Sequence, residues 1–233
     1  KVSGSMRSSF WKNGNWQASL SIVKDILRRK PDSAIMQSIL QLPHVPLPEY
    51  LLPEFMARIA QTKDLTRLNL SGFGVNDLRP LAGKNLTYLD CSNNRLTSLS
   101  GLEWMPLEYL DCSGNRISSI EPLRGMPLKR LDAGMNPLDS IEPLHGLPLE
   151  LLRLDATPIE SIAPLRDQPL ALLSIANCAN IKDFSVLGSL LNLELIVVPD
   201  QTPQETLDSL QRQSPAIMIF NSDREDHTLF DVC

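Results

Sequence analysis

Histidine, cysteine and aromatic residues are scarce in this chain: three His, four Cys and 5% Phe, Trp and Tyr among 233 residues. His44, His145 and His227 fall far apart and meet no repeated acidic or nucleophilic partner, so no catalytic residue is expected. Cys91, Cys112, Cys178 and Cys233 show no zinc-type or C-x-x-C spacing. No glycine-rich phosphate loop occurs, and Gly14, Gly72 and Gly74 read as isolated turn residues. An excess of positive charge is also missing. The 22 Lys+Arg against 27 Asp+Glu give −5 and a pI near 5.2, which disfavours a nucleic-acid partner. Long apolar runs are absent too. The longest, Leu187 to Pro199, is broken by Gly188, Ser189, Asn192 and Glu194, well short of the ~20 residues needed to span a bilayer. No membrane insertion is expected. Residues 1–9, KVSGSMRSS, lack the apolar centre of a signal peptide and read as a tag-like, disordered leader on a piece of a longer protein.

What the chain does have is Leu, Ile and proline. Hydrophobic residues make up 42%, enough for a folded core, and 18 prolines outnumber 11 glycines. A leucine-rich chain with that many prolines predicts a regular architecture with many short corners.

Self-similarity supplies the regularity. LTRLNLSGFGVNDLRPLAGKN begins at Leu65, LTYLDCSNNRLTSLSGLEWMP at Leu86, and LEYLDCSGNRISSIEPLRGMP at Leu107. Further copies begin at Leu128, Leu149 and Leu170, each 21 residues on, and a worn copy follows 23 residues later at Leu193. The fourth position is always leucine: Leu68, Leu89, Leu110, Leu131, Leu152, Leu173. Position six carries Leu70, Cys91, Cys112, Ala133, Leu154 and Ile175. Asn94, Asn115 and Asn136 stand at position nine, where Phe73, Thr157 and Cys178 replace Asn.

This pattern resembles the leucine-rich repeat, L-x-x-L-x-L-x-x-N-x-L. The resemblance implies an α/β solenoid, a right-handed coil with a parallel sheet on its concave face. Each coil adds one short strand about 4.8 Å from the last. One coil cannot bury its own leucines, so its neighbours supply the other wall. Positions four and six point inward and positions three and five outward, because strand side chains alternate. Asn at position nine satisfies backbone groups in the turning chain, as a structural ladder of Asn94, Asn115 and Asn136 that weakens toward Cys178. The corners Ile120–Leu123, Ile141–Leu144 and Ile162–Leu165 repeat I-x-P-L. Proline starts a tight turn but cannot continue a long helix, so 3₁₀ or extended convex segments are expected. Cys91 and Cys112 share the inward position six of adjacent coils and read as free buried thiols, which point to a reducing, cytoplasmic setting.

The flanks read differently. Residues 10–64 form a helical N-terminal cap, with one helix over 16–30, a second through Leu42 and a third from Pro48 to Ala60. GNWQASLSIVKDILRRKPDS resembles half of a tetratricopeptide-type hairpin, so a remnant of an upstream helical array is the rival to a cap. Repeats fill 65–200. Residues 201–233 read as a C-terminal cap, in which Thr202-Pro203-Gln204-Glu205 opens a helix through a capping box and Ala216–Phe220 forms a strand shielding the open sheet edge. The Asp223–His227 cluster reads as solvated tail.

Function is expected on the concave face. Position three reads Arg67, Tyr88, Tyr109, Arg130, Leu151, Leu172, and position five reads Asn69, Asp90, Asp111, Asp132, Arg153, Ser174. Three aspartates in register, about 5 Å apart, are unfavourable unless solvent, arginine or a ligand offsets them. The tyrosines beside them are favoured interface anchors. Leu151, Leu172 and Leu195 extend the face as an exposed apolar strip. The expectation is a monomeric, non-catalytic module without cofactor or metal that binds a protein partner through Arg67, Tyr88, Asp90, Tyr109, Asp111, Arg130, Asp132, Leu151 and Arg153. Short coils with I-x-P-L corners resemble bacterial repeats, including those beside serine/threonine kinase domains, which implies part of a larger signalling protein. The rivals are an internalin-like surface adhesin, and the targeting region of an effector enzyme whose catalytic domain lies elsewhere.

Overall fold

The computed structural model of the protein describes residues 49–222. The expected helices over 16–30 and through Leu42, the Asp223–His227 cluster and Cys233 lie outside them. Eight strands form one parallel sheet in strict chain order: β1 (Arg67–Asn69), β2 (Tyr88–Asp90), β3 (Tyr109–Asp111), β4 (Arg130–Asp132), β5 (Leu151–Arg153), β6 (Leu172–Ser174), β7 (Leu195–Val198) and β8 (Met218–Asn221). Neighbours pair without slip. Leu68, Leu89, Leu110, Leu131, Leu152, Leu173, Ile196 and Ile219 form one row. The fold is the expected solenoid. A strand of only three residues suffices because each coil closes on its neighbours' leucines; every position-four leucine is fully buried, as are Cys91, Cys112, Ala133, Leu154 and Ile175 at position six.

The return segments turn on 3₁₀ helices at Arg79–Leu81, Glu121–Leu123, Glu142–Leu144, Ala163–Leu165 and Ser185–Ser189. A second ladder launches them. The side chains of Asp77, Ser98, Ser119, Ser140, Ser161 and Asp183 each accept the N–H two residues on, at 2.8 to 3.3 Å. These short side chains satisfy donors that a tight turn leaves unpaired.

The asparagine ladder has its expected form. Asn94 Nδ2 donates to the carbonyls of Leu70, Cys91 and Ser92, while its Oδ1 accepts from Val75 N. Asn136 repeats this with Cys112, Ala133, Gly134 and Ile117 N. Thr157 Oγ1 reaches Leu154 O at 2.7 Å, and Cys178 Sγ lies 3.4 Å from that hydroxyl and 3.1 Å from the same carbonyl. Fewer and weaker bonds there match the thinning ladder.

At the N-terminal end a 3₁₀ turn, Glu49–Leu51, leads into α1 (Leu52–Gln61), with proline in its first turn. Phe55, Met56 and Ile59 are buried, and Phe55 stacks on Phe73 of the first coil at 5.6 Å. Lys84 Nζ donates to the Ala60 and Thr62 carbonyls at the C-terminal end of α1, where the helix dipole favours a cation.

One expectation for the other end is corrected. The capping box does not form: Thr202 Oγ1 donates to Pro199 O, and Pro203, in extended conformation, stands at the N-cap of α2 (Gln204–Gln213) with no side-chain capping bond. The expected last strand forms over Met218–Asn221 and covers the edge of β7 by pairing with it. β8 joins in parallel beside β7 as an eighth rung, with α2 taking the place of a 3₁₀ turn in its coil.

Gln168 breaks the core's apolar habit. It stands where other coils place buried Met105, Met126 and Leu147, and its Oε1 is buried with no hydrogen-bond partner. Its Nε2 donates to Leu144 O, which already accepts Leu147 N at 3.1 Å. Gln168→Met removes the orphaned acceptor and, beyond the shared Leu144 carbonyl, gives up only a long 3.4 Å bond to Pro164 O, in a residue that is itself only half-buried, so a gain of about 1 kcal/mol is expected in urea unfolding. A loss would contradict this.

Candidate binding face

Side chains at positions three and five leave the sheet on the side opposite the leucine core and stack with the strand spacing. On the position-three row the Arg67 guanidinium lies 4.1 Å from the centre of the Tyr88 ring, and Tyr88 stacks on Tyr109 at 4.3 Å with 12° between planes. Arg130 is next in register. The parallel ladder sets ring against ring at close to the strand repeat, so ring faces are spent on one another and edges and hydroxyls meet solvent. Burial is the main force raising both phenol pKa values, with Asp90 adding to Tyr88's shift and Tyr88 itself to Tyr109's. Both hydroxyls therefore remain protonated at neutral pH. A shallow depression of about 620 Å³ runs along this row, walled by Thr87, Glu108, Lys129 and Glu150, with Lys129 paired to Glu108 at 3.1 Å.

The aspartate row is held from beneath. Asp90 Oδ1 accepts Ser92 N and Ser92 Oγ, Asp111 Oδ1 accepts Ser113 N and Ser113 Oγ, and Asp132 Oδ1 accepts Gly134 N. Each aspartate thus closes an Asx turn at its strand end, a local reason for this residue to recur. At the far end Arg153 lies 3.4 Å from Asp132 and 3.2 Å from Asp155. Asp155 Oδ1 in turn accepts Ser174 Oγ and Ala176 N.

These contacts do not cancel the strain. Burial raises the Asp111 carboxyl against the opposing bonds from Ser113. Asp132 is pushed up to about 6 by burial and then by Asp111, with Arg153 opposing. A folded pKa above the ordinary aspartate value means the native state holds a proton the unfolded chain has released. Asp132 therefore costs stability above pH 6, and the cost is relieved as pH falls from 6 toward 4. Asp132→Asn is expected to stabilise the protein by about 1 to 2 kcal/mol at pH 7.5 and by nothing near pH 4. A constant effect at both pH values in thermal unfolding would refute this.

The apolar strip differs from expectation at one place. Leu151 and Leu172 are half-buried on the face, but Leu195 is only 8% exposed, and β8 pairs it with Met218, which is 49% exposed. The eighth strand covers Leu195 and moves the apolar end one rung along. Sequence reasoning missed Asp155 and the Lys129–Glu108 pair. It also missed the serines beneath the aspartates, although the spacing in Asp90-Cys91-Ser92 and Asp111-Cys112-Ser113 signals the turn. Off this face, Trp104 is 90% exposed at φ +65°, a turn position held by Gly83, Gly125 and Gly146 in other coils.

Cys91, Cys112 and Cys178 are free and buried, and burial drives the Cys91 and Cys112 thiols well above their ordinary range. Among the described residues no group of three His, Cys, Asp or Glu side chains is placed to hold a metal ion, and no helix is long and apolar enough to cross a membrane.

A one-layer parallel sheet built coil on coil, with its core on one side and a continuous side-chain face on the other, defines a solenoid repeat protein of the protein-interaction class. The comparisons make the class specific. Residues 63–104 and 84–125 match the family model for leucine-rich repeats. Solved structures are similar across most of the chain. An internalin, inlF, from Listeria monocytogenes is 22% identical with a TM-score of 0.56, covering 70% of this chain and 56% of that one. Internalin C2 (inlC2) from Listeria monocytogenes is 26% identical with a TM-score of 0.61, covering 72% and 74%. The functional domain of InlJ from Listeria monocytogenes, which includes a cysteine ladder, is 25% identical with a TM-score of 0.52, covering 71% and 35%. This chain therefore spans little more than half of the first and about a third of the last. No curated protein matches it by sequence. The chain has the leucine-rich-repeat fold and is similar to bacterial leucine-rich-repeat proteins.

Proposed function

We propose that this protein is a non-catalytic module that binds a protein partner through the face of its sheet, as the regulatory or scaffolding part of a larger bacterial signalling protein in the cytoplasm. The observation that carries the reading is the Arg67–Tyr88–Tyr109 stack beside an aspartate row whose charges the fold keeps close at a cost to stability. An Asx turn needs only a short polar acceptor, so asparagine could close these turns without the charge; carboxylates kept together at a solvent face beyond that need support a site maintained for a ligand. Stacked tyrosines offer area with little entropy to lose, and the aspartates favour a basic or mixed partner surface. Arg153, paired with Asp132 and Asp155, fixes the C-terminal end of the row, and Leu151 begins the apolar end.

The hot spot is assigned to Tyr88, Tyr109, Asp111 and Arg130. A Tyr109→Ala/Asp111→Lys double variant is expected to bind the partner at least about 30-fold more weakly. Wild-type affinity in a folded double variant would overturn the assignment. The likeness to internalins supports a second reading, a surface adhesin. Export of the full-length protein from its native cell would favour that reading over the signalling one.

A further inference from the structure

Two rows of opposite character run side by side along the sheet face. Over β2–β4 position three carries hydrogen-bond donors, Tyr88, Tyr109 and Arg130, and position five of the same strands carries acceptors, Asp90, Asp111 and Asp132. The rows lie about 7 Å apart, two residues along each strand. Such a face is complementary to itself. We propose that the sheet face takes a second copy of this chain, the two copies related by a two-fold axis parallel to the stack of coils, so that the donor row of each lies over the aspartate row of the other. The inference rests on the sheet face being the binding site, and it puts a dimer in place of the expected monomer.

Charge decides the direction of the axis. An axis parallel to the stack reverses the strands and keeps the rungs in step, which sets position three of each rung against position five of the same rung in the other copy. Tyr88 then faces Asp90, Tyr109 faces Asp111 and Arg130 faces Asp132, while Leu151 lies on the apolar stem of Arg153. Each pair is made twice, as two-fold symmetry requires. An axis along the strands, centred between β2 and β3, would set Arg67 on Arg130 and Asp90 on Asp111, like on like.

The side chains are placed for the first arrangement. Arg130 is exposed, and among the described residues neither it nor Asp90 nor Asp111 has an ion pair. Bonds from Ser92 and Ser113 go to Oδ1 of Asp90 and Asp111 and leave Oδ2 open. Asp132 has Arg153 at 3.4 Å, yet its carboxyl is still pushed up to about 6, so a second cation is favourable there. The two tyrosine hydroxyls bond one another within the chain. Protonated and free to rotate, they gain by turning to a charged acceptor. Shape agrees as well. The return segments are short 3₁₀ turns rather than wide helices, and the tyrosine rings on the face stand 4.3 Å apart where strands repeat at about 4.8 Å, so the face bends only gently. Six rungs of a face about 15 Å wide bury about 1,000 Å² between two copies, the low end for a specific interface. A dimer with a micromolar Kd is therefore expected.

The test is a charge exchange on the full chain, read by sedimentation equilibrium with circular dichroism confirming each fold. Wild type is expected to pass from monomer to dimer as its concentration rises through the micromolar range. Arg130→Glu alone sets Glu against Asp132 twice, and Asp132→Lys alone sets Lys against Arg130 twice. Each is expected to weaken self-association at least tenfold. An equimolar mixture of the two folded variants sets Glu against Lys in one contact and keeps the native pair in the other, so heterodimers of near wild-type affinity are expected. A wild-type chain that stays monomeric to about 300 μM, well above a micromolar Kd, would overturn the proposal. So would single variants that associate as wild type does, or a mixture that associates no better than its components. The binding-face reading fails separately. If the chain is monomeric but partner recovery is lost in Asp90→Lys/Asp111→Lys/Asp132→Lys, the face remains the site and only the second copy is removed as its occupant. If recovery ignores that variant, both readings fall.

Discussion

Asn115→Ala is expected to lower stability by about 2 to 4 kcal/mol, a large share of what a domain of this size possesses. Asn115 Nδ2 donates to the carbonyls of Cys91, Cys112 and Ser113 at 3.0 to 3.2 Å, and its Oδ1 accepts Leu96 N at 3.0 Å. The carbonyls keep other donors, namely Asn94 Nδ2, Asn136 Nδ2 and Asn93 N. Leu96 N has no such substitute inside a fully buried residue, so alanine strands one backbone donor and weakens three acceptors. Because each coil leans only on its neighbours, the damage falls in the middle of the stack, where it uncouples the two halves. Thr157→Val is the internal comparison. Its hydroxyl serves one carbonyl and one thiol, and about 1 kcal/mol is expected. Equal losses at the two positions in urea unfolding would mean that the ladder's bond count does not set its worth.

The second large effect belongs to Gly101→Ala, for which about 3 kcal/mol of destabilisation is expected. Where other coils place a proline at this corner, the coil beginning at Leu86 has Gly101 with φ +102°, and a Cβ there would sit 2.7 Å from both Arg79 Cα and the Leu78 carbonyl oxygen. Left-handed backbone costs an L-residue about 1 to 2 kcal/mol, and pressing a methyl group into neighbouring backbone costs about 1 to 3 kcal/mol more. The preceding coil cannot retreat, because Leu78 and Leu81 are packed into the core. Gly125→Ala is the control: its φ is +73°, but no atom lies within 4 Å of the added carbon, so only the conformational cost of about 1 kcal/mol remains. A midpoint shift no larger for Gly101→Ala than for Gly125→Ala would show that the close approach is unimportant.

How much of this was legible in the sequence follows from what repeats. The leucine frame, the inward Cys91 and Cys112, the outward Tyr88 and Asp111, and the Asn ladder recur at a fixed interval, so stacking one coil on the next placed them without further information. The 3₁₀ corners followed from proline chemistry. What escaped notice departs from the repeat or acts between coils. Thr202 looked like an N-cap because its spacing to Glu205 fits a capping box, yet Pro203 takes the extended conformation and the hydroxyl turns back to Pro199. β8 looked like an edge cover and does pair along β7, but what the pattern did not show is that it continues the solenoid in register as a further rung, setting Met218 beside Leu195, which is only 8% exposed. Asp155 lay two positions past the aspartate row and gained its role from Arg153 of the same coil and Ser174 of the next. Pattern reading assigns faces well; which charges meet across coils depends on side-chain reach.

The central claim is that partner binding resides on the sheet face between Arg67 and Arg153. Quantified recovery of partners from lysate, comparing wild type with Asp90→Lys/Asp111→Lys/Asp132→Lys and using circular dichroism to confirm both folds, tests it most directly. The account predicts a partner that wild type recovers and the folded variant does not. Equal recovery by both would contradict it and move the site to the return-segment side, where Trp104 stands exposed, or to the basic N-terminal residues.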